Sequence, residues 1–440
     1  MLSSEETELL CRVGPGTPMG ALMRQYWLPV LYEWEITPGS QPLRVRLLGE
    51  DLLAWRSEDG TPTFTQERCP HRGTSMYYGR VDGEGLRCAY HGWMFDADGQ
   101  CVEMPNERAE SDFKRKVRVA SYRGAEAGGL IWAYMGPRQD DPPPLPAHEF
   151  TLVPAEQRRH YRKAVYECNW MQALEGELDS THVYFLHARL NKADSPAYGL
   201  YHPDQTALFH LRDSDAGLTY AAERAEPGGD TYWRTTHYLF PFYGMFPGDA
   251  TKVPLSLYVP IDDEHTLHMG IEWNPSTPVA EPRWPAPTLP AETGLIVEGM
   301  GPMLPEQHGR FFAHWWPEAN PRTDFLMDPV AKATKNFTGI PSVRLQDAAV
   351  IWSMGSIMDR TAEHLCTTDA AIIRVRRKLI GAAKALAATG ATPPGVDNPE
   401  VYTRRSANVA LPPDADWEAT LGDWHHARSA DYPTREKAPR

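Results

Sequence analysis

Four residues constrain this chain more than any others: Cys69 and His71 in Cys69-Pro-His71-Arg72-Gly73, and Cys88 and His91 in Cys88-Ala-Tyr-His91-Gly92-Trp93. Sixteen residues, Arg72 to Arg87, lie between the two pairs. Two thiols and two imidazoles at such spacing make a donor set for a soft or borderline metal, and any fold of the segment has to bring all four to one point. Tetrahedral zinc satisfies the set. So does a 2Fe-2S cluster in which both histidines ligate one iron. Gly73 and Gly92, close behind each pair, let the backbone wrap a metal tightly and leave amide N–H groups for sulfur. Cys101, thirteen residues after Cys88, reads as a small buried hydrophobe, as do Cys11, Cys168 and Cys366.

The rest of the composition narrows the setting. Six cysteines scattered over 440 residues, behind an acidic opening MLSSEETELL with no basic-then-apolar leader, read as reduced thiols or metal ligands in a cytoplasmic protein. No apolar run reaches the roughly 18 residues of a membrane span. A net charge of −14 disfavours nucleic acid, whose readers need a Lys/Arg surface to displace counterions.

The chain divides by pattern. Residues 1–26 are expected to be helical, with Ser3 or Ser4 as the cap. Residues 27–146 break into short apolar runs such as Leu43 to Leu48 and Leu52 to Trp55, the pattern of a small all-β domain, and end in a stiff Pro-rich linker from Asp140 to Pro146. Residues 147–390 mix a helical stretch, Asn169 to Phe185, with strand-like runs Thr219 to Ala222, Leu255 to Pro260 and Thr266 to Trp273. Helical pattern then returns from Val343 to about Ala387. The expected class is α+β: the all-β domain, then a domain with an antiparallel sheet surrounded by helices. Residues 391–440 form a C-terminal extension expected to wrap the surface or to be partly mobile.

A second group of donors lies in Glu175-Gly-Glu-Leu-Asp179-Ser-Thr-His182-Val-Tyr-Phe-Leu-His187. On a helix, Glu175, Asp179 and His182 fall at i, i+4 and i+7 and share one face. His187 joins them only where the helix loosens, kinks or ends. Two histidines and a carboxylate from elsewhere make the facial triad of non-haem Fe(II) oxygenases. Asp347, within Leu345-Gln-Asp-Ala-Ala and flanked by small Ala348 and Ala349, is the chosen carboxylate; Asp359, Glu363 and Asp369 are its rivals.

The double motif C-x-H-R-G with C-x-Y-H-G-W resembles the Rieske signature, and E-x3-D-x2-H-x4-H resembles the catalytic segment of Rieske oxygenase α subunits. The likeness runs from ELLCRVGPGTPMG through VPIDD to the DRTAEHL stretch, read as a helix, and looks closest to the phthalate-dioxygenase-like branch. It implies an N-terminal Rieske domain with a 2Fe-2S cluster on Cys69, His71, Cys88 and His91, and a mononuclear Fe(II) on His182, His187 and Asp347. It further implies Asp179, with Glu175 beside it, in the catalytic machinery: Asp179 bridges a cluster histidine of one subunit to an iron histidine of the next, in a homotrimer. The implied activity is hydroxylation, dihydroxylation or O-demethylation of an aromatic acid by O2, with NAD(P)H electrons from a separate flavin and iron–sulfur reductase. A carboxylate substrate calls for a buried arginine, with Arg224 and Arg234 as candidates. The aromatic stretch Tyr238 to Phe246 reads as core before pocket wall. Two other classes stay open on the residues alone: a zinc-stabilised binding protein with a structural Cys/His site, and an electron carrier with a cluster and no catalytic iron.

Overall fold

The structure is a computed structural model that describes residues 2–108, 110–190, 206–279 and 299–434. Ser3 caps the first helix, Ser4–Cys11, with Glu6 answering back to the Ser3 N–H as a capping box. A second helix, Pro18–Met23, starts on Thr17 with proline at its first turn, so the expected helical opening is two helices broken at Val13-Gly-Pro-Gly.

The first β body holds two antiparallel sheets. Six strands, Trp27–Tyr32, Leu43–Leu47, Glu50–Arg56, Pro62–Gln66, Ser121–Ala127 and Leu130–Tyr134, pair with the first and last strands joined at one side. A four-stranded sheet, Arg80–Asp82, Gly85–Arg87, Met94–Asp96 and Cys101–Glu103, is inserted between Pro62–Gln66 and Ser121–Ala127. It encloses its own small core of Trp55, Met76, Leu86, Trp93 and Phe95, to which Cys69, Cys88 and Cys101 belong. Trp27–Tyr32 and Leu130–Tyr134 are buried at every position because the second body covers the face that solvent would otherwise reach. Tyr32 there donates to the Arg162 carbonyl at 2.9 Å, and fully buried Lys163 pairs with Glu35.

The second body is an eight-stranded antiparallel sheet built from Arg158–Tyr166, Leu208–Ser214, Gly217–Ala225, Thr231–Leu239, Tyr243–Met245, Val253–Pro260, Thr266–Trp273 and Ala407–Leu411. Val253–Pro260 and Thr266–Trp273 are buried throughout. The helix Trp170–Leu178 packs on the sheet, and the helices Val343–Trp352 and Ala370–Thr389 pack around it, which gives the α+β arrangement read from the sequence. Among the described residues no helix is long and apolar enough to cross a membrane.

The residues past Gly390 do more than wrap the surface. Ala407–Leu411 pairs with Thr231–Leu239, and the helix Trp417–His425 buries Trp417, Leu421 and Trp424, with Trp417 stacked 5.5 Å from Trp233. The Asp359 to Leu365 stretch is not helical: the Asp359 side chain accepts from Thr361 N and Oγ1 and turns the chain locally instead. Cys366, read as buried, is exposed.

Glu175 is also corrected. Its carboxylate faces away from the donors further along and is buried against two arginines, Arg376 Nε at 2.6 Å and Arg360 Nη2 at 3.2 Å. Arg376 also pairs with Glu363, and Arg360 donates to Cys11 Sγ at 3.2 Å. Burial works against the charge on Glu175, but Arg360 and Arg376 outweigh it and hold the carboxyl below its ordinary value. The network ties together the N-terminal helix, Trp170–Leu178 and Ala370–Thr389.

Two stability predictions follow from this packing. Glu175→Ala leaves two buried arginines short of charge and lowers the unfolding free energy in a urea titration by about 3–5 kcal/mol. Leu421→Ala, at a position with no exposure, lowers it by about 2–5 kcal/mol if the C-terminal helix belongs to the cooperative core; a loss near zero shows that helix to be peripheral.

Candidate metal centres and substrate cavity

The two Cys/His segments fold as near copies. Cys69 N donates to Thr74 O and Gly73 N to Cys69 O, both at 2.9 Å; Cys88 N donates to Trp93 O at 2.8 Å and Gly92 N to Cys88 O at 3.0 Å. Both glycines have φ +74°, and a Cβ on Gly92 would sit 3.1 Å from Pro105 Cγ, so glycine is required there on two counts. The loops face each other. His71 Nδ1 and His91 Nδ1 are 3.0 Å apart, and Trp93 stacks on the His71 ring at 4.4 Å.

Cys69 and Cys88 are each 2% exposed, whereas the histidines reach the surface beside Tyr90. Burial pushes the Cys69 thiol up to about 12, against an amide hydrogen bond from His71 that favours the thiolate. A buried thiol of that kind stays protonated at neutral pH unless a cation takes the proton's place, and two imidazoles with nitrogens turned on one another suit the same cation. The residues therefore fit the cluster that the motif implies. Cys101 lies in its own strand with Sγ on Glu103 O, outside the set of four.

The helix carrying the second donor group starts on the Asn169 cap and ends at Leu178. Asp179 ends it: its Oδ1 accepts from Thr181 N at 2.6 Å, Thr181 Oγ1 at 2.7 Å and His182 N at 3.3 Å, so the chain leaves the helix and enters a short 3-10 turn, His182–Tyr184. The shared helical face expected for Glu175, Asp179 and His182 does not exist, and the break is what swings His187 round to His182, with rings 5.1 Å apart.

Asp347 arrives from the helix Val343–Trp352. That helix crosses close over Gly176, where a Cβ would meet Ile351 Cδ1 at 2.6 Å. Asp347 Oδ1 lies 3.1 Å from His187 Nε2 and 3.5 Å from His182 Nε2, and the three donor atoms all fall within 4.8 Å of one another. It is the one such group of His, Cys, Asp and Glu donors among the described residues. Gln346 Oε1 holds His187 Nδ1 at 2.7 Å, and Asp179 Oδ2 faces His182 Nδ1 at 3.5 Å, so each imidazole is turned with Nε2 toward the meeting point. Burial opposes a charge on His182, yet Asp179 and Asp347 carry it up to about 9. Burial likewise opposes ionisation of Asp347, but His187 and His182 hold it well below the carboxylate range. The site lies in a field made for a cation. Its rivals are engaged elsewhere: Asp359 on Thr361, Glu363 on Arg376, and Asp369 on Cys366 N.

These donors line a cavity of about 490 Å³. Its walls include Tyr161, Tyr166, Val183, Phe246, Tyr258 and Ile351, a volume and lining suited to a substituted ring. Phe246 alone of the Tyr238 to Phe246 stretch reaches it; the others are core. Arg234 lines the cavity from the strand Thr231–Leu239, with its Nε buried and unpartnered and no carboxylate in ion-pair range among the described residues. Arg224 does not line it: 1% exposed, it lies over the Tyr184 ring and donates to the Ser180 carbonyl. Glu177, Lys252, Arg344 and Asn408 also line it, and sequence reasoning passed over all four. A signal existed for Arg344, three residues before Asp347 and so on the same helical face; none separated Glu177 from Glu175.

Comparison with known proteins agrees with this geometry. Residues 26–123 match the Rieske [2Fe-2S] domain and residues 133–431 the family described as LigXa C-terminal domain like. The chain is 39% identical to the 3-chlorobenzoate-3,4-dioxygenase oxygenase subunit of Comamonas testosteroni, over 95% of this chain and 97% of the relative. It is 35% identical to the phthalate 4,5-dioxygenase oxygenase subunit of Pseudomonas putida (95% and 94% covered) and 33% identical to the 5,5'-dehydrodivanillate O-demethylase oxygenase subunit of Sphingobium (86% and 80%). Dicamba monooxygenase solved with dicamba shares the fold at a TM-score of 0.56 and 16% identity, covering 84% of this chain and 99% of that one. The zinc-scaffold and simple electron-carrier alternatives fall with these matches. The chain belongs to the Rieske non-haem iron oxygenases, as an oxygenase component of the phthalate-dioxygenase-like branch with a 2Fe-2S cluster and a mononuclear iron.

Proposed function

We propose that this oxygenase component oxidises a small aromatic acid with O2, taking NAD(P)H electrons through a separate flavin and iron–sulfur reductase. Cys69, His71, Cys88 and His91 hold the cluster, and His182, His187 and Asp347 hold the iron. The observation that carries the reading is the convergence of two imidazoles and one carboxylate oxygen within 4.8 Å at the wall of an aromatic-lined cavity. Bound there, ferrous iron supplies open coordination positions for O2 reduction, and the cluster supplies electrons one at a time.

The chain's own residues then have separable tasks. Tyr161, Tyr166, Tyr258 and Phe246 exclude water around the ring, which keeps reduced oxygen from being released unproductively. Arg234, with no carboxylate in ion-pair range among the described residues, offers its planar fork to a substrate carboxylate. The likeness to an O-demethylase subunit supports a second outcome from the same machinery, loss of a methyl group from an alkoxy ring, when that carbon is the one turned toward the iron.

Asp179 links the two centres between subunits of a homotrimer. Its Oδ1 is taken by Thr181, while Oδ2 has only His182, at 3.5 Å, among the described residues and can accept from a cluster histidine of a neighbouring chain. Exposed apolar side chains support such an assembly. Phe185, Leu190 and Phe337 are exposed on or beside the His182 to His187 loop, and Tyr90 is exposed against the His91 ring, so both ends of the link present apolar surface to a neighbour.

Purified protein is expected to be brown, to carry about three iron atoms per chain with acid-labile sulfide, and to turn over aromatic acids from a panel when given a generic reductase; zinc in place of iron, or turnover of none, sinks the reading. Asp179→Asn keeps both metal centres and slows reoxidation of the reduced cluster in the presence of substrate by about 10- to 100-fold, measured by stopped-flow absorbance. Arg234→Met raises KM for a carboxylate ring by roughly ten- to a hundredfold and leaves the matching neutral amide unaffected, read from steady-state kinetics on the pair.

A further inference from the structure

Asp347 uses its two oxygens differently. Oδ1 faces both imidazoles, while Oδ2 faces the Arg344 guanidinium, with Nη1 at 3.4 Å. Arg344 stands one turn earlier on the same helix, so the two side chains leave from one face. The same Nη1 lies 3.5 Å from Glu177 Oε2, which also accepts from Tyr258 OH at 2.8 Å. Glu177 itself comes from the helix Trp170–Leu178, whose end turns into the two histidines, and its side chain is only 2% exposed. Arg344 is pinned at its other side by lying over the Phe246 ring, 5.1 Å from its centroid. A rigid fork tied to a second helix and to Phe246, just past the strand Tyr243–Met245, thus stands at the carboxylate oxygen that the imidazoles do not use.

We infer that Arg344 is a positioning residue that reserves Asp347 Oδ2, so that the carboxylate offers the metal Oδ1 alone and one coordination position more stays open to an incoming molecule. The inference rests on His182, His187 and Asp347 being the iron ligands. A carboxylate free to swing binds a cation through one oxygen or two, and the two-oxygen mode consumes a position. An arginine committed to two carboxylates holds it in the one-oxygen mode at little entropic cost, because Glu177 and Phe246 already fix the fork. Substrate does not need to touch Arg344 for this to matter. The role differs from that of Arg234, which has no acidic partner among the described residues and lines the cavity.

The test uses the full-length holoprotein with its cluster oxidised and diamagnetic, ferrous iron in the second site, and nitric oxide as the probe. Nitric oxide affinity and the line shape of its half-integer-spin EPR signal report the open positions; transfer of iron to a ferrous chelator reports how tightly the site holds it. With R344M, Oδ2 is released to the metal, so nitric oxide affinity falls by about tenfold while iron is lost more slowly than from wild type. R344K, which keeps the charge and loses the fork, shows the weaker nitric oxide binding with iron loss near wild type. A site merely loosened by the substitution loses iron faster, and that result, or unchanged nitric oxide affinity in both variants, overturns the inference. If R344M does not fold, as judged by cluster absorbance and melting, R344K carries the decision on nitric oxide affinity alone. D347A separates the two levels: full iron content in D347A overturns the ligand assignment itself, whereas iron loss in D347A with no effect in either Arg344 variant overturns only the role of Arg344.

Discussion

The contact of Asp347 with His182 and His187 brings together chain segments that are far apart in sequence and carries a cost that only a cation removes. Burial opposes a charge on His182, but the Asp179 and Asp347 carboxylates beside it carry its imidazole up to about 9. The cysteine–histidine site solves the same problem in reverse. There, burial disfavours the Cys69 thiolate that a cluster needs, and the His71 amide and metal charge together would compensate.

Much of the second body serves to make the Asp347 contact possible. The helix Trp170–Leu178 acts as a beam with acidic residues on opposite sides, because positions two apart on a helix point about 200° from each other. Glu175 is clamped by Arg360 and Arg376 on one side, and Glu177 meets Arg344 and Tyr258 on the other. Gly176 between them is bare so that Ile351 can close over it, which sets how near Asp347 comes to the histidines. Asp179 then stops the helix by bonding forward to Thr181 and His182. One short stretch thus supplies the anchor, the contact surface, the break and the donors.

Which parts of this were legible in sequence follows from what each signal depends on. The Cys/His pairs and the histidine pair were readable because metal chemistry restricts residue type and spacing more tightly than packing does. The Ser3 cap was readable because Glu6 completes a local box. Glu175 was misread because i, i+4 spacing gives a shared face only while the helix lasts, and the forward bonds of Asp179 that end it look in sequence like any helical aspartate. Arg224 and Arg234 were equivalent on paper; strand register decides that one lies under the 180-loop and the other in the cavity. The strand Ala407–Leu411 was missed because ANVAL is short, half small residues, and acquires its meaning only from its partner strand.

That last strand bears on how the molecule is made. Asn408 lies opposite Arg234 in the register with Thr231–Leu239 and shares the cavity wall with it, so the chamber for the ring is closed by a strand that follows the Cys/His motifs at a long distance in the chain. The segment from 26 to 123, which matches the Rieske domain, is synthesised well before that strand. Vectorial synthesis thus imposes an order: the electron-carrying half is made before the strand that closes the chamber.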